Sequence, residues 1–94
     1  MFESELRRMQ ALIREECYFV TEHADDELLD DDLTVFDVEY CIDTGTIIEK
    51  QLDQKLGVWK YLVEGRSIAG AGMVTVVSFG SSGRLLIVIT VYAV

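Results

Sequence analysis

At Gly45 the chain changes its hydrophobic period. Before it, apolar residues recur every three or four positions; after it, they alternate or run in short β-branched blocks. A 3.6-residue period buries one stripe of a helix, and a period of two buries one face of a strand. Helices and strands must therefore form consecutive blocks, helices first. The 94 residues contain no proline and make one domain over 1–94, with room for one modest core.

In the first block, Phe2, Leu6, Met9 and Ile13 form one apolar stripe, which predicts a helix over 3–16 within an N-terminal segment 1–17. Tyr18 to Val20 is a short β-like run. Thr21 is a helix N-cap, starting a second helix from Glu22 to about Leu29. Asp30, Asp31 and Asp32 end it, because like charges at a C-terminus oppose the helix dipole. Thr34 with Asp37 three residues on resembles a capping box and predicts a third helix. Its inward face is Val38, Cys41 and Ile42, and Gly45 is expected to end it in a left-handed conformation.

Beyond Gly45, Thr46 to Asp53 and Val58 to Glu64 read as strands around a turn near Lys55-Leu56-Gly57. A glycine-rich loop spans 65–72. Met73 to Phe79 and Leu85 to Val94 flank Gly80-Ser81-Ser82-Gly83 and form the clearest hairpin. The expected architecture is α+β: N-terminal helices packed on one face of an antiparallel, meander-type sheet of about four to five strands.

Charge divides the chain at nearly the same place as the hydrophobic period. Residues 1–39 hold thirteen acidic residues against three arginines, a balance of −10, whereas residues 40–94 hold four acids and five bases, a balance of +1. A polyanionic ligand is repelled by the first half and must meet the second. The start of the chain lacks the basic-apolar-small order of a secretory signal. The apolar run Leu85 to Val94 is too short to span a bilayer as a helix. A soluble, cytoplasmic protein without membrane association is expected.

Known chemical motifs are sparse. One histidine excludes HExxH and His-rich metal sites, and no Walker loop, GxGxxG or serine-triad elbow is present. The acids from Asp25 to Asp32 lack EF-hand spacing and read as a solvated helix end. Cys17 and Cys41 read as buried free thiols. No metal and no cofactor is expected. The groups that stand out are His23, Lys60, Arg66 and Arg84, with Tyr61 and Tyr92 as phenols. On a meander, Lys60, Arg66, Arg84 and Tyr92 fall on neighbouring strands or their ends. A 2′-hydroxyl attack within RNA needs a base, an acid and a cationic clamp, and no metal; these residue types supply all three.

Several short segments recur in a known order. They are Thr21-Glu22-His23-Ala24, Gly45-Thr46-Ile47-Ile48-Glu49, Tyr61-Leu62-Val63-Glu64-Gly65-Arg66 and Ile89-Thr90-Val91-Tyr92. Over about residues 18–93 this order resembles the small bacterial family called domain of unknown function 4258. That family is in turn similar to the BrnT toxins and, more distantly, to the RelE/ParE toxin superfamily. The resemblance implies helices packed on an antiparallel sheet. In RNA-cutting relatives it implies metal-independent mRNA cleavage held in check by an antitoxin. His23, Arg66 and Tyr92 match the recurrent positions and are the candidate catalytic residues; Lys60 and Arg84 are the candidate phosphate-binding residues.

One departure changes the functional expectation. Relatives carry arginines after His-Ala, where this chain has Asp25-Asp26-Glu27-Leu28-Leu29-Asp30. The surface beside His23 is thereby anionic and disfavours RNA. Two readings follow. The first is a non-catalytic protein-interaction module or degenerate toxin, with an antitoxin or another basic protein as partner. The alternative is an endoribonuclease toxin of a type II toxin–antitoxin pair. A homodimer through an exposed edge strand is a related expectation, because the apolar run Leu85 to Val94 needs cover.

Overall fold

A computed structural model describes residues 1–94. Three helices, α1 (Glu3–Arg14), α2 (Glu22–Asp30) and α3 (Val35–Thr44), pack on a five-stranded sheet of β1 (Tyr18–Val20), β2 (Thr46–Asp53), β3 (Val58–Arg66), β4 (Gly72–Phe79) and β5 (Leu86–Ala93). The strand order is β1-β5-β4-β3-β2. Strands β2 to β5 form the expected antiparallel meander. The fold is α+β.

The short β1 departs from that pattern by pairing parallel to β5, Tyr18 opposite Leu86 and Val20 opposite Val88. Consequently the apolar run expected to need an outside partner is flanked by β4 along its length and by β1 over Leu86 to Val88. The long open edge is β2, which carries Glu49 and Lys50 and a register shift between Ile47 and Glu49. Charges and an irregularity of this kind discourage edge-to-edge pairing.

Helix α1 buries Met9 and Ile13, with Phe2 and Leu6 packed against the same core. It stops at Arg14, two residues short of the expected end at 16, because Glu16 turns left-handed (φ 58°). The Glu16 N–H then reaches Ile13 O and the Cys17 N–H reaches Leu12 O, the paired bonds of a Schellman end. Helix α2 begins as expected: the Ala24 N–H donates to Thr21 Oγ1 at 3.1 Å. It also ends in a Schellman turn, with Asp32 left-handed (φ 56°) and the Leu33 N–H on Leu28 O. The aspartate run is thus accompanied by a specific backbone stop. Of the two cysteines, only Cys41 is buried; Cys17, in the turn after α1, is half-buried.

The close approach of α3 to the sheet fixes the centre of the molecule. Gly45 is not left-handed, as expected from sequence, but extended (φ −92°, ψ −169°). Glycine is required there for space: a Cβ would lie 2.4 Å from Cys41 O and 2.5 Å from Glu64 O. Gly65 of β3 meets the same turn, its Cβ position 2.8 Å from Cys41 O and 3.1 Å from Cys41 Sγ. Burial pushes the Cys41 thiol up, aided by the charge of Glu64 and opposed by the Thr75 hydroxyl, which donates to Sγ at 3.6 Å. Two of α3's terminal carbonyls, those of Ile42 and Asp43, accept from the Gln10 side-chain amide of α1 at 3.3 and 3.1 Å. Orphan carbonyls at a helix end need such partners.

Replacing Gly45 with alanine should cost about 2–3 kcal/mol, because the obstructing atoms are backbone oxygens that cannot swing aside. Urea unfolding of the purified variant measures this; an unchanged midpoint would show that α3 sits further from the sheet.

Candidate functional site

The candidate residues divide into three places. Tyr61 and Val63 belong to the helix-covered core, so alternation puts Lys60, Leu62, Glu64 and Arg66 of β3 on the opposite, uncovered face. Val91 is likewise in the core, which puts Tyr92 on the uncovered face. Glu64, Val74 and Tyr92 lie in one row across β3, β4 and β5, and Arg66 is one row further, beside Gly72. Strand spacing and rise place the Cα atoms of Arg66 and Tyr92 about 12 Å apart. These two candidates therefore share one corner of the sheet. Arg66 curls back on its own loop, donating from Nη1 to Gly70 O at 2.9 Å.

Lys60 is on the same face of β3 but six residues from Arg66, about 20 Å along the strand. Its Nζ faces Asp53 Oδ2 at 3.9 Å. Arg84 lies in the exposed turn joining β4 to β5, at the far end of the sheet. The length of β4, about 23 Å, separates that turn from the corner holding Arg66. Lys60, Arg66 and Arg84 are thus not brought together around one phosphate position.

His23 is positioned by the outer edge of β5. Beyond Val88 that edge has no β1 to pair with, and α2 supplies side chains instead. Thr21 N–H donates to Val88 O at 3.0 Å and the Thr21 hydroxyl donates to Ile89 O at 3.1 Å. The Val91 N–H donates to Glu27 Oε1 at 3.0 Å. The same carboxylate oxygen lies 3.4 Å from His23 Nε2, one helical turn away, with the imidazole 69% exposed. Sequence reading selected Thr21 as a cap and His23 as a catalytic candidate but missed Glu27, whose role depends on a strand 64 positions away. His23 lies outside β5, whereas Arg66 lies two strand spacings inside it, about 10 Å of sheet between them.

A fourth place emerges from the structure alone. Between the end of α1 and the outer side of α3 lies a groove of about 460 Å³, lined by Ile13, Arg14, Glu16, Phe36, Glu39, Tyr40, Asp43 and Ile68. Phe36 is 63% exposed, Tyr40 44% and Ile68 62%. Asp37 sets the geometry at one end: Oδ2 accepts the Thr34 N–H at 2.8 Å, and Oδ1 accepts the Ile68 N–H at 2.9 Å. Burial acts to raise the Asp37 carboxyl, but these bonds, with that from the Thr34 hydroxyl, outweigh it and hold the group below the usual aspartate range. At the other end the Tyr18 hydroxyl donates to Glu39 Oε2 at 2.7 Å. Burial, then the Glu39 bond and charge, push the Tyr18 phenol up to about 12, so it remains a donor.

Across the whole chain three ion pairs form, the N-terminal amine with Glu3, Arg14 with Asp43 and Lys60 with Asp53, and the His23 imidazole lies within reach of the Glu27 carboxylate. No group of three or more His, Cys, Asp or Glu side chains is placed to hold a metal ion. No helix is long and apolar enough to cross a membrane.

The chain belongs to the family described as domain of unknown function DUF4258, whose model matches residues 20–93. The matched span takes in α2, α3 and the full meander, and leaves α1 outside it. No curated protein and no solved structure matches the chain.

The two members of the β5-edge pair should respond differently to truncation. Glu27→Ala strips the Val91 N–H of its partner and is expected to lower stability by about 1–2 kcal/mol. His23→Ala removes only an exposed pair and should change it by less than about 0.5 kcal/mol. Equal losses in chemical denaturation would mean that His23, not the strand edge, is what Glu27 holds.

Proposed function

We propose that this chain is a non-catalytic protein-interaction module whose acidic helical half receives a basic protein partner. The observation that carries this reading is the unneutralised acidity of α2 and its following turn. Glu22, Asp25, Asp26, Asp30, Asp31 and Asp32 are all exposed, and none of them forms an ion pair. Like charges held on one short helix repel each other, and a cationic surface brought against them relieves that repulsion and is steered toward it. A second copy of this chain would bring like charge to like charge. RNA meets the same repulsion next to the family's histidine position.

The His23–Glu27 pair favours one competing reading, a metal-independent ribonuclease of a toxin–antitoxin pair related to the BrnT or RelE/ParE toxins. There His23 would act as acid or base, Arg66 and Tyr92 would serve the reacting phosphate, and Lys60 and Arg84 would bind flanking phosphates. A carboxylate fixed by a backbone N–H does orient an imidazole. The reading lacks a cation beside that imidazole, since Arg66 is two strands away and Lys60 and Arg84 lie toward the other end of the sheet. Transition-state charge needs a donor within hydrogen-bonding reach.

Affinity capture from the cells that make the protein, paired with an RNA-cleavage assay, separates the two. The expected result is a stoichiometric protein with net positive charge that elutes by about 0.5 M salt, where screening lengths fall to a few ångström, together with intact RNA. RNA cleavage that is lost in His23→Ala would contradict the proposal and establish the ribonuclease.

A further inference from the structure

The acidic α2 surface explains attraction but not specificity, since long-range charge does not select a register. The groove between α1 and α3 supplies what α2 lacks. Helix α3 carries two apolar faces. Val38, Cys41 and Ile42 are fully buried against the sheet, whereas Phe36 and Tyr40, spaced i and i+4, form a second ridge that nothing in the chain covers. Ile68 extends this ridge from the loop after β3, where the Asp37 bond to its N–H holds it. Large apolar side chains exposed side by side and rimmed by charge are a feature of interaction sites.

The rim states the sign of the occupant. Glu16, Glu39 and Asp43 face the groove, and its one cation, Arg14, is already 3.4 Å from Asp43. The Tyr18 hydroxyl occupies one oxygen of Glu39 and leaves the other to accept from a ligand. The walls state its conformation. They come mainly from two helices whose backbone groups are bonded internally, and no strand residue lines the groove. An extended peptide would leave its own N–H and C=O groups unpaired over Phe36 and Tyr40; a helix satisfies its backbone itself.

We propose that the α1–α3 groove binds an amphipathic, basic α-helical segment of the partner protein. Two apolar side chains one turn apart on that segment sit against Phe36, Tyr40 and Ile68, and flanking Lys or Arg residues pair with Glu16, Glu39 and Asp43. The proposal rests on the interaction reading and gives it a site. It also assigns a role to α1, which lies outside the family-matched residues and forms one wall of the groove.

The test uses the full chain and a fluorescein-labelled synthetic helical peptide of about 16 residues, about 24 Å long. The peptide carries leucines at i and i+4 and flanking lysines and arginines. A control peptide has serines in place of the leucines. Anisotropy titrations compare the natural chain with Phe36→Ser/Tyr40→Ser, whose sites are exposed so that folding persists, and with Asp25→Asn/Asp26→Asn/Asp30→Asn on α2. The groove variant and the serine peptide should each bind at least about tenfold more weakly, the loss expected when central apolar anchors are removed. The α2 variant should weaken binding less than about threefold near 0.15 M salt, where charges beyond a Debye length of about 8 Å are screened. Absence of leucine-peptide binding, or binding indifferent to the groove substitutions, overturns the groove. Loss of binding confined to the α2 variant overturns it too, while leaving the broader interaction reading intact.

Discussion

The last turn of α3 lies against β3 with hydrogen atoms where side chains would be, at Gly45, which ends the helix, and at Gly65 of the strand. Cys41 occupies the space thus made, with its carbonyl against Gly45 and its sulfur against Gly65. This approach sets the rotation of α3. Val38 and Ile42 face the sheet, which turns Phe36 and Tyr40 outward. It also sets where α3 ends, and so where the Gln10 amide of α1 finds the carbonyls of Ile42 and Asp43. The α1–α3 groove is therefore a consequence of two missing side chains, one at the end of α3 and one in β3.

The other half of the helical layer is held by a different device. Strand β5 outruns its parallel partner β1, and the exposed ladder groups of its edge are taken by Thr21 and Glu27 of α2. Capping an edge with a helix's side chains ends pairing without lengthening β1. It also explains why a carboxylate stands beside His23: Glu27 serves the strand. The acidic residues around it have no such internal partner, and that asymmetry is what gives α2 its outward field.

Much of the fold was legible because it is local. The period change at Gly45, the stripe Phe2, Leu6, Met9, Ile13, the Thr21 cap and the Gly80–Gly83 hairpin all express themselves within a few residues. What was not legible depends on distant neighbours. The parallel pairing of β1 joins Tyr18 to Leu86. Gly45 matters through Cys41 and Glu64, so its conformation could not be read from a helix-end preference. Lys60 and Arg66 share a face in the alternation pattern, but only the length of β3 shows how far apart they are. The ridge of Phe36 and Tyr40 lies opposite the inward face Val38, Cys41 and Ile42, but only the placement of α1 and Ile68 shows that it borders a groove. Charge, by contrast, was legible at once, because acidic residues without nearby bases remain on the surface in any fold.

These elements describe a family fold with two faces of different character. The sheet face carries dispersed cations, and the helical face carries dense acid beside an uncovered apolar ridge. The central claim is that the helical face does the binding. Amide chemical-shift mapping of the labelled protein with its captured partner tests this most directly. Perturbations are expected on the helical face, at Arg14 to Glu16, Phe36 to Asp43 and Ile68 and along the acidic Glu22 to Asp32. Perturbations confined to Lys60, Arg66 and Tyr92, with the α1–α3 groove silent, would contradict it.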